Sequence, residues 1–508
     1  MLTFGHRRFA ADGNHVTKHT PGKRFSRTAI LGACVSLVLV VGISAVLRAQ
    51  SGRSYGPDRI WWNAGSGDIL PWQEEYDNAE GQVGVFNAKG IVRTQGHPFF
   101  EALGENGRAC VTCHQPSNAM SVSPVAVLQR WRATAGQDAV FEAVDGANCP
   151  DLPEMEQSSH SLLLKRGLFR IALPWPPRNA DGAPIAPDFR IEVVSDPTGC
   201  NLSPVYGLKS AKPAISVFRR PRVAANLHYF VSSPGSALMA DGRFPSLELQ
   251  AVDAALVHEQ AARPSPEQLR QIVDFELQLF TAQTSDIRGG LLGEKGGPAA
   301  LGLEHVASGQ AGPLGGPVSG VAGNTPALLD FSGWRKPPGA ADLGLQREFR
   351  ASVARGSEVF FARQFLVHDS FPLNPTAGGR PVSATCATCH AAGLTRWMDI
   401  GTANRALAQA DPDLPLFKIT CEASARAHPF LGRVIYTNDP GRALVTGKCA
   451  DTGSLVMQQF RGLAARAPYF ANGSAASLRE LVDFYDQRFG ARFTEQEKQD
   501  LVNFLKVL

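Results

Sequence analysis

The chain has 508 residues, of which 44% are apolar and 19% charged. That apolar share supports buried cores and excludes wholesale disorder, and at about 150 residues per domain the length suggests two large units or three smaller ones. The net charge of +4 is concentrated in the first 28 residues, where six basic groups face Asp12 alone, so the body lacks the basic excess of a nucleic-acid-binding surface.

Residues 1–28 read as a basic cytoplasmic tail. Residues 29–47 (AILGACVSLVLVVGISAVL) carry no charge. At 1.5 Å per residue a helix there spans about 28 Å, close to a bilayer core. With Lys23, Arg24 and Arg27 before it, segment 29–48 is expected to be a transmembrane anchor with its N-terminus in the cytoplasm, or else a cleaved signal sequence. The anchor reading describes a single-pass bacterial inner-membrane protein whose remaining chain lies in the periplasm.

The next feature is Cys110-Val111-Thr112-Cys113-His114, which recurs as Cys386-Ala387-Thr388-Cys389-His390. From nine cysteines and twelve histidines in 508 residues, about 0.004 such motif is expected by chance. A thioredoxin-like pair needs no following histidine, and a structural zinc site needs a second ligand pair nearby, which neither motif has. The pattern instead suits a c-type haem. Two thiols on one turn add to the two vinyl groups, and the adjacent imidazole meets the iron. Two covalent haems are therefore predicted, attached through Cys110, Cys113, Cys386 and Cys389 and ligated by His114 and His390.

Four other cysteines fall one pair per motif region. Disulfides Cys149–Cys200 and Cys421–Cys449 are expected in an oxidising compartment, with buried free thiols as the alternative. Strand signals are few and short, Ile191–Val194 among them. The segment SPEQLRQIVDFELQLF (265–280) reads as an amphipathic helix capped by Ser265, and TEQEKQDLVNFLKVL (494–508) as its counterpart capped by Thr494. Between them, residues 289–345 hold 15 Gly and 6 Pro and read as a linker. Before the second motif, Arg347–Gln364 has mixed helical character. The expected organisation is thus a tail (1–28), an anchor or signal (29–48), a first haem domain (49–288), a linker (289–345) and a second haem domain (346–508).

The two halves echo each other. Val223–Phe230 parallels Leu463–Phe470, and Asp241–Leu247 parallels Asn472–Leu478. In the closing helices Ile272, Val273 and Phe275 match Leu501, Val502 and Phe504.

With two C-x-x-C-H motifs, DGR-x-x-SL-x-x-Q at 241–250 and RGLAARAPYFANGSAASL at 461–478, the sequence resembles the bacterial dihaem cytochrome c peroxidase and MauG superfamily over roughly 95–285 and 346–508. The resemblance implies a mainly α fold of two cytochrome c-type domains, with one haem relaying electrons and the other meeting peroxide. Gln250 matches the family's distal glutamine, and Glu259 falls near its acid–base glutamate. A carboxylate beside bound peroxide moves a proton between oxygens. His258 is read as a sixth ligand, a proton-transfer base or a core histidine.

The match also departs from the family. Ala240 stands where relatives carry a relay Trp. Phe470 and Ala471 stand where they carry a ligand, so either the second haem is five-coordinate or another residue supplies the ligand, with His428, Met457 and Met398 as candidates. His160 and His228 are fallback choices for the early distal histidine. Arg219 and Gln458 do not reproduce the family's calcium site. Expected partners are a periplasmic small cytochrome or cupredoxin as electron donor, and peroxide or another small oxidant; a homodimer is open. The functional reading is electron transfer coupled to peroxide reduction or a peroxidase-like oxidation. A non-catalytic tethered electron carrier and a dihaem oxygenase are the alternatives.

Overall fold

The computed structural model describes residues 61–66, 69–179, 181–231, 237–308, 331, 333–335, 344–390, 397–398 and 411–508. The chain divides into two units, Met1–Arg59 and Ile60–Leu508, and the first lies outside the described residues, as do most of segment 309–343 and residues 399–410.

Fifteen strands form six antiparallel sheets among the described residues. The longer strands are β1 (Gln73–Asn78), β2 (Gly81–Asn87), β3 (Phe169–Pro174), β4 (Phe189–Ser195), β5 (Ala214–Arg219), β6 (Leu279–Asp286), β7 (Leu416–Cys421) and β8 (Val434–Thr437). The helices around the two motifs are α1 (Cys110–Cys113), α2 (Leu247–Val257), α3 (Pro266–Gln278), α4 (Gly344–Ala362), α5 (Cys386–His390), α6 (Leu478–Phe489) and α7 (Glu495–Lys506).

The expectation of a mainly α fold is therefore wrong. Helices surround the motifs, but the connecting stretches are sheet. β1 and β2 make a hairpin that β6 extends, β3 pairs with β5, and β7 lies between β4 and β8. These strands are two to eight residues long, too short for a clear alternation, and several are buried on both faces. They are stabilised by partners far away in sequence, so local periodicity underreports them. Only β4 contained a strand signal that was read.

The membrane expectation is corrected as well. No helix of the described residues is long and apolar enough to cross a membrane. A single-pass inner-membrane protein is not supported on that finding; segment 29–48, on which the expectation rested, lies outside the described residues.

Local chemistry explains the element ends. Ser265 accepts from Gln268 N while the Gln268 side chain accepts from Ser265 N, and Pro266 opens α3; Thr494 and Glu497 make the same reciprocal cap on α7. α3 passes directly into β6, whose first residue Leu279 is already extended. Gly81, at φ +149°, lets β2 approach β6: a Cβ there would stand 2.2 Å from the Ser285 carbonyl oxygen. Gly356 does the same where α4 crosses α7, with a Cβ only 2.0 Å from the Asp500 carbonyl oxygen. Ser352 and Arg355 lock this crossing by bonding the buried Asp500 carboxylate.

The internal repeat is visible in backbone detail. Leu238 bridges Phe244 and Tyr469 bridges Ala475 at the same spacing. Within those bridges Met239 and Phe470 both adopt positive φ, at 66° and 67°. Each then leads to a serine-capped helix, Ser246 before α2 and Ser477 before α6.

Two disulfides, Cys149–Cys200 and Cys421–Cys449, pin the sheet regions, with Cα separations of 5.1 and 5.6 Å. Among the described residues the free cysteines are Cys110, Cys113, Cys386 and Cys389. Arg219 on β5 spans Asp241 at 2.5 Å and Asp439 at 2.7 Å, tying the first half of the chain to the second.

Candidate haem-attachment sites

Both motifs begin the same way. The threonine at the third position accepts from the backbone N–H just before the first cysteine: Thr112 from Ala109 at 3.1 Å, Thr388 from Thr385 at 3.0 Å. This closes the turn that presents both thiols on one side. Each motif histidine then rests on a phenylalanine, Phe99 with His114 (ring centroids 6.5 Å apart) and Phe360 with His390 (6.2 Å). Behind each phenylalanine stands the closing-helix residue matched in sequence, Phe275 at 4.6 Å and Phe504 at 5.4 Å.

The donor sets fit a covalently bound haem c. Nδ1 of His114 donates to the Met120 carbonyl at 3.1 Å, which fixes the tautomer and leaves Nε2 for a metal. Burial lowers the His114 pKa, with the Met120 and Arg222 backbones opposing, and burial pushes His390 down to about 4. Both rings are therefore neutral, as iron ligation requires. Nδ1 of His390 is buried with no partner among the described residues. Burial also pushes the thiols of Cys113 and Cys386 up to about 12, and conversion to thioethers abolishes their titration.

A second fit concerns charge. Arg220 and Arg466 are buried and Arg222 is half-buried, and the hydrogen bonds of all three side chains go to carbonyl oxygens. Arg220 bonds Arg166, Val122 and Arg466 oxygens at 2.7–2.9 Å, Arg222 bonds Val456 and Met457 oxygens, and Arg466 bonds the Gln459 oxygen. Burial lowers Arg220 to about 9 and the other two to about 10, still charged at neutral pH. Nε of Arg466 has no partner among the described residues. Buried cations satisfied only by carbonyls suit a ligand carrying carboxylates, as the porphyrin edge does. The Arg222 backbone touches His114, while the segment its side chain grips leads to Phe460, whose ring lies 4.7 Å from His390. Arg222 thus lines a seam that runs from the first motif's histidine to the segment leading to Phe460 beside His390.

The other nominated residues are placed as follows. Glu259 is 3% exposed and lies against the first motif: Oε1 is 3.3 Å from Cys110 Sγ, here a thiol standing in for the thioether sulfur, and Oε2 accepts from Leu103 N at 3.4 Å. Burial pushes its pKa up to about 7, with the Cys110 thiol and Leu103 amide opposing. His258 caps α2, and its Nδ1 is 2.5 Å from Asp145 Oδ2. Asp145 also pairs with Arg108, which is 1% exposed and bonds the carbonyls of Ala139, Val140 and Glu142. Burial would raise Asp145, but Arg108 and His258 outweigh it and hold it low. Gln250 lies half-buried about two turns earlier on α2.

Among the ligand candidates for the second iron, His428 is buried in its own loop, its Nδ1 accepting from Leu431 N at 3.2 Å. Met457 is half-buried and packs with Phe230, Leu227 and Phe460, one residue removed from His390. The side chain of Met398 lies outside the described residues. His160 is buried with both ring nitrogens on carbonyls, those of Gly146 and Glu154, so it faces no ligand site. His228 is exposed.

The structure therefore brings Glu259, His258 and the first motif together. It adds Arg108, Asp145, Gln115 and Phe99, which sequence reading passed over. Arg108 and Gln115 flank the motif and were open to suspicion on that ground. Asp145 had no such signal.

Comparison with known proteins agrees in part. No family profile matches the chain. Over 81 residues it is 36% identical to the cytochrome-c peroxidase IdrP1 of Pseudomonas sp. (strain SCT), a match that covers 14% of this chain and 21% of that protein. The chain thus matches about a fifth of that relative's length. The similarity is to a peroxidase, and the MauG half of the resemblance has no counterpart in it.

Proposed function

We propose that the protein is a dihaem c-type cytochrome that reduces peroxide, drawing electrons from a small redox protein such as a cytochrome or cupredoxin. One observation carries the reading: the two C-x-T-C-H turns are built alike, each with a threonine cap and a phenylalanine against its histidine, as two tethered porphyrins would require. The partial similarity to a cytochrome-c peroxidase supports the peroxide half. When bound, haem iron supplies the one-electron chemistry and the site where a peroxide O–O bond is cleaved. The chain's part is to hold Nδ1 of His114, neutralise porphyrin carboxylates with Arg220, Arg222 and Arg466, and keep the seam dry.

A second reading, an electron carrier without catalysis, is favoured by one observation. Glu259, the nominated acid–base residue, rests on the attachment cysteine, and His258 is engaged by Asp145. Electron paramagnetic resonance of the ferric haem-loaded protein separates the two. The peroxidase reading expects a high-spin component and peroxide-dependent oxidation of a reduced small cytochrome. Two low-spin irons inert to peroxide and carbon monoxide would leave the carrier.

A further inference from the structure

Behind the first motif runs a buried chain of redox-competent side chains that the peroxidase reading does not use. Gln115, the residue after His114, is fully buried and clamps Trp62: its Oε1 accepts from Trp62 N at 2.7 Å, and its Nε2 donates to the Trp62 and Val111 carbonyls at 3.0 and 2.7 Å. The Trp62 indole Nε1 donates to the Tyr76 hydroxyl at 3.0 Å, and that hydroxyl donates to Glu74 Oε2 at 2.5 Å. Glu74 and Tyr76 are alternate residues of β1 and so share its inner face. Trp62, Tyr76 and Glu74 are 6%, 7% and 3% exposed.

Packed rings connect this chain to the motif. Trp62 lies 6.0 Å from Phe100, Phe100 lies 5.3 Å from Phe99, and Phe99 lies 6.5 Å from His114. Trp62, in the middle of this chain, also lines a cavity of about 620 Å³ together with Trp61, Thr112 and Arg130.

A phenol is hard to oxidise unless its proton leaves with the electron. A buried carboxylate already hydrogen-bonded to the hydroxyl accepts that proton with almost no movement. We propose that Trp62, Tyr76 and Glu74 form a proton-coupled redox relay serving the haem of the first motif. Resting on the haem reading above, the step balances as follows. With haem bound, hydrogen peroxide, the oxidant, would take up two electrons and two solvent protons as its O–O bond breaks, giving two waters and leaving the first haem site two electrons short. Tyr76 gives one electron to that centre by way of Trp62, and its phenolic proton passes to Glu74 Oε2. The products are a neutral tyrosyl radical and a protonated Glu74. The haem centre is then one electron short, and two one-electron reductants close the cycle, one restoring Tyr76 as the proton returns from Glu74 and one refilling the haem centre.

The test is freeze-quench paramagnetic resonance of the haem-loaded protein after one equivalent of hydrogen peroxide, with haem absorbance followed in parallel. The relay expects a tyrosyl signal whose hyperfine splitting collapses when the protein is grown on ring-deuterated tyrosine. Tyr76→Phe abolishes it while haem content and the peroxide-induced absorbance change persist. Glu74→Gln, which keeps the phenol, cuts radical yield at least fivefold and shifts its g1 value, since that value reports the hydrogen bond to the phenolic oxygen. This second variant keeps the test decisive where Tyr76→Phe does not fold. Haem that responds to peroxide with no protein radical, or with the same radical in Tyr76→Phe, overturns the relay and leaves the peroxidase reading standing. Haem that does not respond to peroxide overturns both.

Discussion

Glu276 provides a sharp test of how the first half is packed. It sits on α3 beside Phe275, is 5% exposed, and its Oε2 has no partner among the described residues. Burial, with a smaller contribution from Glu248, pushes its pKa from the ordinary 4.5 up to about 8. The folded chain therefore holds a proton that the unfolded chain releases above about pH 4.5. Because the folded pKa of this acid is the higher one, stability falls as pH rises, by about 1.4 kcal/mol per unit between the two values, and levels off above about 8. Over that window the loss from this group is on the order of 5 kcal/mol. Glu276→Gln keeps the shape and a donor but cannot ionise. Urea midpoints of the haem-loaded protein and the variant, measured from pH 5 to 8, should diverge steadily in the variant's favour. Two curves running parallel across this range would refute the assignment of Glu276 as a buried neutral acid.

Removing either disulfide opens a loop that the unfolded chain then explores. With sequence separations of 51 and 28 residues, Cys149→Ser/Cys200→Ser should cost ~4 kcal/mol and Cys421→Ser/Cys449→Ser ~3.5 kcal/mol, read from urea midpoints. Titration of the denatured, unreduced, haem-loaded protein should find one thiol per chain, Cys34, because the other eight cysteines are in bridges or thioethers. Cys110→Ser/Cys113→Ser and Cys386→Ser/Cys389→Ser should each halve the covalent haem measured as the pyridine haemochrome; an unchanged value for either would remove that motif from the account. Arg219→Met removes one of the two arginines that pair with the buried Asp241, leaving Arg243 at 3.0 Å, and should destabilise by about 1.5–3 kcal/mol, whereas a midpoint shift worth less than about 0.5 kcal/mol would show that the pair is not the tie it looks to be.

How much was legible beforehand depends on how local the physics is. The thiol pairs and histidines of both motifs lie within five residues, so their chemistry is written in the sequence. The caps at Ser265 and Thr494 were readable for the same reason: donor and acceptor are three residues apart. The cysteine pairings followed from counting, once the motifs had claimed four thiols. The sheets were not legible, because β4 finds β7, and β2 finds β6, across some 200 residues.

Glu259 shows the same limit at the site. Its carboxyl type was readable, but its place against Cys110, 149 residues away, follows from how the end of α2 folds back on the first motif. By itself the sequence nominated the residues that would bind porphyrin and iron, since covalent spacing and side-chain chemistry are properties of a short stretch. Only the tertiary structure decided that Arg222 grips the Val456 and Met457 carbonyls, that Asp145 holds Arg108 and His258, and that Trp62, Tyr76 and Glu74 stand in line. Those relations arise when distant segments share a water-free interior, where each polar group must find a partner wherever the fold supplies one.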